Sequence, residues 1–165
     1  MKTNFRVAVR SLVFASALAV GLPAQADAQA DLRGDWVLSL ASSELGQSPT
    51  PDSAFLSIEA SGEKLVMTGV RYYAQRGVTR NTWFDMRVDG EVHPVKTDDG
   101  EFDSTASWED ETLTIFRVAE SNVGEIELSE RLWLEDDGGT LVRSIDLAVP
   151  GMGEDHQVME YARKE

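Results

Sequence analysis

The stretch "DLRGDWVLSLASSELG", residues 31–46, begins the part of the chain that reads as a folded domain. Within it, Trp36, Leu38 and Leu40 fall on one face at period two, the pattern of a half-buried β-strand. The polar segment 41–53 follows, and the prolines at 49 and 51 exclude a regular element through it. The sequence therefore predicts a first strand that starts at Gly34-x-Trp36 and leads into a long polar connection.

The residues before this stretch have the pattern of a secretory signal peptide. Lys2, Arg6 and Arg10 form a basic start, a short apolar run follows, and two "AQA" sites predict cleavage after Ala26 or Ala30. The alternative is an uncleaved N-terminal anchor. We divide the chain into a signal peptide at 1–30 and a domain at 31–165, and we expect a periplasmic or extracellular protein with no membrane insertion after cleavage.

The composition restricts the possible partners of residues 31–165. This part keeps 12 of the 15 basic and 28 of the 29 acidic residues, a net charge of −16, and the chain has no cysteine. Without a basic patch to release counterions, nucleic acid and anionic lipid surfaces are excluded as partners. Burial alone must hold the domain together, and we expect a soluble monomer.

Almost every later segment alternates at period two and is bounded by turn residues. We predict about ten short strands in a single all-β domain with no internal repeat. The dipeptide Asp89-Gly90 gives the strongest hairpin signal, of type I′. Short sequential connections favour an antiparallel up-and-down β-barrel of about 8–10 strands over a sandwich, since Greek keys need long returns.

Four stretches resemble the calycin superfamily, which includes the lipocalins and fatty-acid-binding proteins, and more narrowly bacterial exported lipocalin-like proteins of uncertain function. They are "GDWVLSLASSELG" (34–46), "VDGEVHPV" (88–95), "WEDETLTIFR" (108–117) and "ERLWLEDDGGTLV" (130–142). The resemblance implies a lipocalin-like barrel at 31–165. It also implies that Trp36 plugs a closed end and that Gly34 lets the chain cross beneath it. A basic side chain from a late strand would lie across the indole, and Arg143 and Arg163 are the candidates.

The chain departs from the fatty-acid-binding proteins in two places. The segment 41–53 cannot form their helical lid, and the Arg-x-Tyr pair of their last strand is replaced by Met159-Glu160-Tyr161. We therefore expect uncharged or weakly polar ligands to be preferred over carboxylates.

The residues offer little for catalysis or metal binding. The two histidines, His93 and His156, lack the spacing of a zinc site, and the acidic turns do not fit a calcium loop. We predict no metal and no cofactor. His93 is the one weak catalytic candidate, because Glu91 would share its strand face; a solvent-facing Glu–His pair is the alternative interpretation.

A barrel lumen is lined by alternate residues of every strand. Methionines and aromatics at such positions suit an adaptable apolar pocket, and they also suit a packed core. The predicted ligand-binding residues are Met67, Tyr73, Met86, Trp108, Phe116, Met159 and Tyr161.

Three functions are compatible with this sequence. The first, which we favour, is an exported barrel that binds a small hydrophobic or amphipathic molecule. The second is an envelope protein-interaction module with a filled barrel. The third is a small isomerase- or cyclase-type enzyme, which would need an ionisable residue buried in the lumen without a partner.

Overall fold

A computed structural model describes residues 31–97, 100–135 and 138–165 of the chain. The predicted signal peptide, residues 1–30, lies outside the described residues. Within the described ranges, no helix has the length and apolar character needed to cross a membrane.

Ten β-strands account for most of the described chain, with a 3₁₀ turn at Ala74–Arg76 between the third and fourth. The strands are β1 (Gly34–Leu38), β2 (Ser53–Ser61), β3 (Lys64–Tyr73), β4 (Val78–Arg87), β5 (Val92–Thr97), β6 (Gly100–Glu109), β7 (Thr112–Ser121), β8 (Gly124–Glu135), β9 (Thr140–Val149) and β10 (Gly153–Arg163).

The strands form one antiparallel sheet in the order β4-β3-β2-β1-β10-β9-β8-β7-β6-β5. Sequential strands pair except β4 and β5, and β10 returns to β1, with Trp36 opposite Arg163 and Leu38 opposite Tyr161. The sheet is thus a nearly closed up-and-down barrel. The predicted fold class, an all-β antiparallel up-and-down barrel of about 8–10 strands, is confirmed.

The break in the barrel lies between β4 and β5, the two edges of the sheet, which share no ladder within the described residues. The hairpin predicted at Asp89-Gly90 is therefore wrong. A type I′ turn needs positive φ at both central residues, but of these two only Gly90 has it, at 78°. Instead, the Gly90 amide donates to the carbonyl of Ala106 at 2.9 Å. This bond directs the chain away from β4 and towards β6.

Alternation along each strand divides an apolar inner face from a polar outer one. On β3, for example, Leu65 and Met67 are fully buried while Lys64 and Thr68 are exposed. The largest fully buried side chains include Trp36, Leu113, Leu132, Leu141 and Met159, all from inner positions. We call the end of the barrel at the start of β1, where Trp36 lies, the lower end.

The lower end is closed by Trp36 and the residues around it. The indole is fully buried, and its Nε1 donates to the carbonyl of Leu32 at 3.1 Å. The guanidinium of Arg163 lies over the ring at 4.2 Å and donates to the backbone carbonyls of Arg33, at 2.9 Å, and Asp31, at 2.7 Å. Of the two arginines proposed for this contact, the structure therefore places Arg163 on Trp36.

Gly34 has a structural reason for its identity. Its φ is +132°, a conformation that residues with a side chain rarely adopt, and a Cβ there would lie 3.1 Å from Nη1 of Arg163. The absence of a side chain lets the arginine reach the backbone beneath the indole.

Candidate functional site

The structure places six of the seven predicted ligand-binding residues on the inner face of the barrel. Met67, Met86 and Met159 are buried there. Tyr73 and Tyr161 are also buried, and Trp108 is partly buried against the core. The lumen wall therefore combines methionine and aromatic side chains, as the sequence indicated.

Phe116 is the exception, and its assignment to the lumen is wrong. It lies on the outer wall of β7 and is 41% exposed. The inner positions of β7 are Leu113, Ile115 and Arg117, so the strand turns an arginine inward and a phenylalanine outward. The reason is alternation at period two, because the fully buried Leu113 and Ile115 leave Phe116 on the outer face.

Arg143 was a candidate for the contact with Trp36, and this too is wrong. Its side chain points into the lumen from β9, and its Nε donates to Oε1 of Glu130 at 2.7 Å. Glu130 faces inward from β8 and is fully buried. A second arginine, Arg117, brings Nη1 to 3.4 Å from Oε2 of the same carboxylate.

The strand register explains how these three charges meet. Glu130 lies directly opposite Ile115 on β7 and Ile145 on β9. Arg117 and Arg143 are each two residues away, at diagonal positions within reach of long side chains. A buried carboxylate thus sits between two guanidiniums from its flanking strands.

Glu130 offsets the cost of burying the positive charge for Arg143 but not for Arg117. Burial opposes the charge of Arg143, but Glu130 outweighs it, and the pKa of Arg143 is raised. Burial dominates at Arg117 despite the same carboxylate, and its pKa is lowered. Burial also acts on Glu130, where the attraction of Arg143 and then Arg117 prevails and lowers the pKa of the carboxyl. Since guanidiniums stay protonated near neutral pH, all three groups are charged.

A third arginine approaches the cluster from β3. Nη2 of Arg71 and the hydroxyl of Tyr161 each lie 3.5 Å from Sδ of Met159. Arg71 also helps to lower the pKa of Glu130. Three arginines and one glutamate therefore face this part of the lumen, which leaves an excess of positive charge.

Several buried polar atoms beside the cluster have no hydrogen-bond partner among the described residues. They include Nε and Nη2 of Arg117 and Oγ of Ser104, which lies directly opposite Arg117 on β6. The guanidinium of Arg117 is stacked on the ring of Phe84, 4.0 Å from its centroid. Sequence reasoning missed this cluster because arginine and glutamate in a β-strand normally lie on its solvent-exposed face.

Residues 39–52, which we call the strap, continue from β1 along β10. Glu44 and Val158 exchange two backbone hydrogen bonds of 2.7 Å, so the strap continues the pairing of β1 with β10. The Gln47 amide donates to Asp155 at 2.8 Å, and Gln157 donates to Ser48 at 2.9 Å. Bonds from Gln157 and then Gln47 hold the pKa of Asp155 below its ordinary value. These hydrogen bonds anchor the strap to β10.

His93 does not form the predicted pair with Glu91. Its Nε2 lies 2.9 Å from Oδ1 of Asp89, whose pKa is lowered by the Glu91 amide and by His93. Among residues 31–97, 100–135 and 138–165, no three His, Cys, Asp or Glu side chains are grouped so as to hold a metal ion.

Comparison with known proteins gives a structural similarity and no sequence match. No protein-family model and no curated protein matches the chain. The chain is similar to the crystal structure of zebrafish ileal bile acid-binding protein complexed with cholic acid, with a TM-score of 0.54 and 18% identity. The match covers 81% of this chain and 99% of that chain. It shows a shared barrel fold, while the narrower resemblance to bacterial exported lipocalin-like proteins stays a prediction.

Proposed function

We propose that residues 31–165 form an exported barrel that binds a small amphipathic molecule in the upper part of its lumen. The observation that carries this proposal is the inner wall, where apolar and sulfur-containing side chains adjoin buried polar groups without partners. Phe84 and Leu128 pack against the core and are only partly buried, whereas Trp36 at the lower end is fully buried. Such a wall offers contacts to both ends of an amphipathic ligand.

The similar solved structure supports the same function by analogy. It contains cholic acid bound to a barrel of this fold. A shared fold does not by itself transfer function, so the proposal depends on the lining residues of this chain. Export to the periplasm or the extracellular space rests on the signal pattern of residues 1–30.

Titration with an environment-sensitive apolar fluorophore tests the binding function. We expect saturable binding to residues 31–165. Leu128→Trp should abolish it, because the larger side chain fills the lumen. Arg131→Trp is the matched control, since Arg131 lies on the same strand but is exposed on the outer wall. Absence of saturable binding, or equal binding by both variants, would contradict a lumenal site.

An interaction module is the second candidate, and the outer wall provides the observation in its favour. A cavity of about 500 Å³ there is lined by residues that include Phe116, Asp146 and His156. Loss of a co-purifying protein on Phe116→Ser, together with no ligand binding, would favour this second function.

A further inference from the structure

Arg117 presents one complete edge of its guanidinium to the lumen without a partner. Nε and Nη2 are the two donors of the side-on edge, whose N–H bonds run parallel and match the two oxygens of an oxyanion. Both nitrogens are buried, and neither donates to an acceptor among the described residues. Arg117 as a whole is only 3% exposed. Buried donors in native proteins almost always have a partner, so this edge points to an acceptor that residues 31–97, 100–135 and 138–165 do not supply.

Ser104 adds a third donor at the same place. It lies directly opposite Arg117 in the β6–β7 ladder and is also 3% exposed, with no partner for its hydroxyl. Side chains directly opposite each other on one face of an antiparallel pair have Cβ atoms about 5 Å apart. The pairing therefore places Ser104 beside Arg117 on the same inner wall.

Glu130 does not occupy this edge. Its Oε2 lies 3.4 Å from Nη1 of Arg117, the nitrogen that is not part of this edge. Its Oε1 accepts a hydrogen bond from Nε of Arg143 at 2.7 Å. The contrast between the two arginines agrees with this arrangement, since Arg143 is fully compensated by the carboxylate and Arg117 is not. Phe84 covers one face of the Arg117 guanidinium and so helps to fix its plane. The result is a preorganised donor edge.

We propose that Arg117 and Ser104 form an oxyanion subsite that binds the acidic head of the amphipathic ligand on the β6–β7 wall. This inference rests on the proposed binding function and identifies its ligand class. It replaces the expectation of uncharged ligands, which depended on the missing arginine of the last strand. The excess positive charge of the cluster, with Arg71 and Arg143 nearby, accommodates an anion without leaving a buried charge uncompensated.

The test compares laurate, dodecyl phosphate and methyl laurate by calorimetric titration of residues 31–165, below the micellar concentrations of the amphiphiles. We expect at least one acid to bind about tenfold or more tightly than the ester, as hydrogen bonds to charged groups allow. Whichever acid binds more tightly identifies the head group. If the acids and the ester bind equally, the subsite is refuted and the binding function stands. If none binds, both are refuted.

Two variants test whether Arg117 and Ser104 cause the preference for the acids over the ester. Arg117→Met should bring the acid-to-ester affinity ratio to about one and leave ester binding within about threefold. Ser104→Ala, which removes one hydroxyl and leaves every charge in place, should lower the ratio about threefold to tenfold. Arg131→Met on the outer wall is the control and should retain the wild-type ratio. An acid preference that Ser104→Ala and a folded Arg117→Met both retain would overturn the proposal.

Discussion

At the scale of single residues, Trp36 contributes most to the closed end. Its indole is fully buried, accepts Arg163 on one face and donates to the Leu32 carbonyl. Arg163 in turn donates to the backbone on both sides of the closure, including the Gly138 carbonyl at 3.2 Å. One ring therefore connects the chain before β1 with the end of β10.

We predict that Trp36→Ala lowers the free energy of unfolding by about 3–5 kcal/mol, because truncating a buried aromatic side chain leaves a cavity. Denaturant melts measure the loss. Trp83→Ala is the control, since Trp83 is 50% exposed on the outer wall, and it should cost less than about 1 kcal/mol. Equal losses from the two variants would show that Trp36 does not close the barrel.

Glu130 is the second residue whose removal has a defined consequence. Glu130→Gln leaves Arg117 and Arg143 without their shared carboxylate, and breaking a buried pair in this way costs about 3–5 kcal/mol. Glu127→Gln, an exposed position on the same strand, should change the stability by no more than about 0.5 kcal/mol. Urea melts at neutral pH measure the free energy of unfolding of both variants, and equal losses would contradict a buried ion pair.

The stabilisation by Glu130 should also depend on pH. The pKa of the folded-state carboxyl lies below its ordinary value of 4.5, so the native state binds fewer protons than the unfolded state. The contribution is complete above pH 4.5 and is lost as the pH falls through the folded-state pKa. The gap between wild type and Glu130→Gln should therefore narrow in acid, and a gap independent of pH would contradict a charged Glu130.

At the scale of elements, the strap is held by its fit against β10 as well as by its hydrogen bonds. Gly46 has a φ of +57°, and a Cβ there would collide with the Asp155 carboxylate and the His156 carbonyl. The strap can therefore follow β10 only with glycine at this position.

Gly46→Ala should destabilise the protein more than Gly77→Ala. Gly77 has the same φ of +57° but nothing within 4 Å of a Cβ, so alanine there introduces only backbone strain, about 1–2 kcal/mol. The collision at Gly46 should add at least about 1 kcal/mol. It should also speed amide exchange at Glu44 and Val158, whose mutual bonds anchor the strap. Equal effects of the two variants would mean that the strap does not depend on this contact.

At the scale of the whole molecule, the signal peptide predicted at residues 1–30 can be tested directly. We predict that protein recovered from outside the cytoplasm starts at Asp27 or Asp31, as intact mass and N-terminal sequencing will show. A variant that begins at Asp31 behind a start methionine should remain in the cytoplasm. Exported protein that still begins at Met1 would contradict cleavage and favour the anchor.

The sequence by itself was sufficient for the ten strands, their up-and-down order and the inner position of six of the seven predicted lining residues. These features follow from local information, namely alternation at period two and turn residues between the strands. The resemblance to the calycins also implied that Gly34 and Trp36 form the closed end.

Contacts between distant strands settled the remaining features. Register brings Arg117, Glu130 and Arg143 together although they lie on three different strands. The choice between Arg143 and Arg163 at Trp36, and the opening between β4 and β5, likewise depend on partners far away in the chain. A residue's face follows from local alternation, but the partner it meets there depends on the register of the closed sheet.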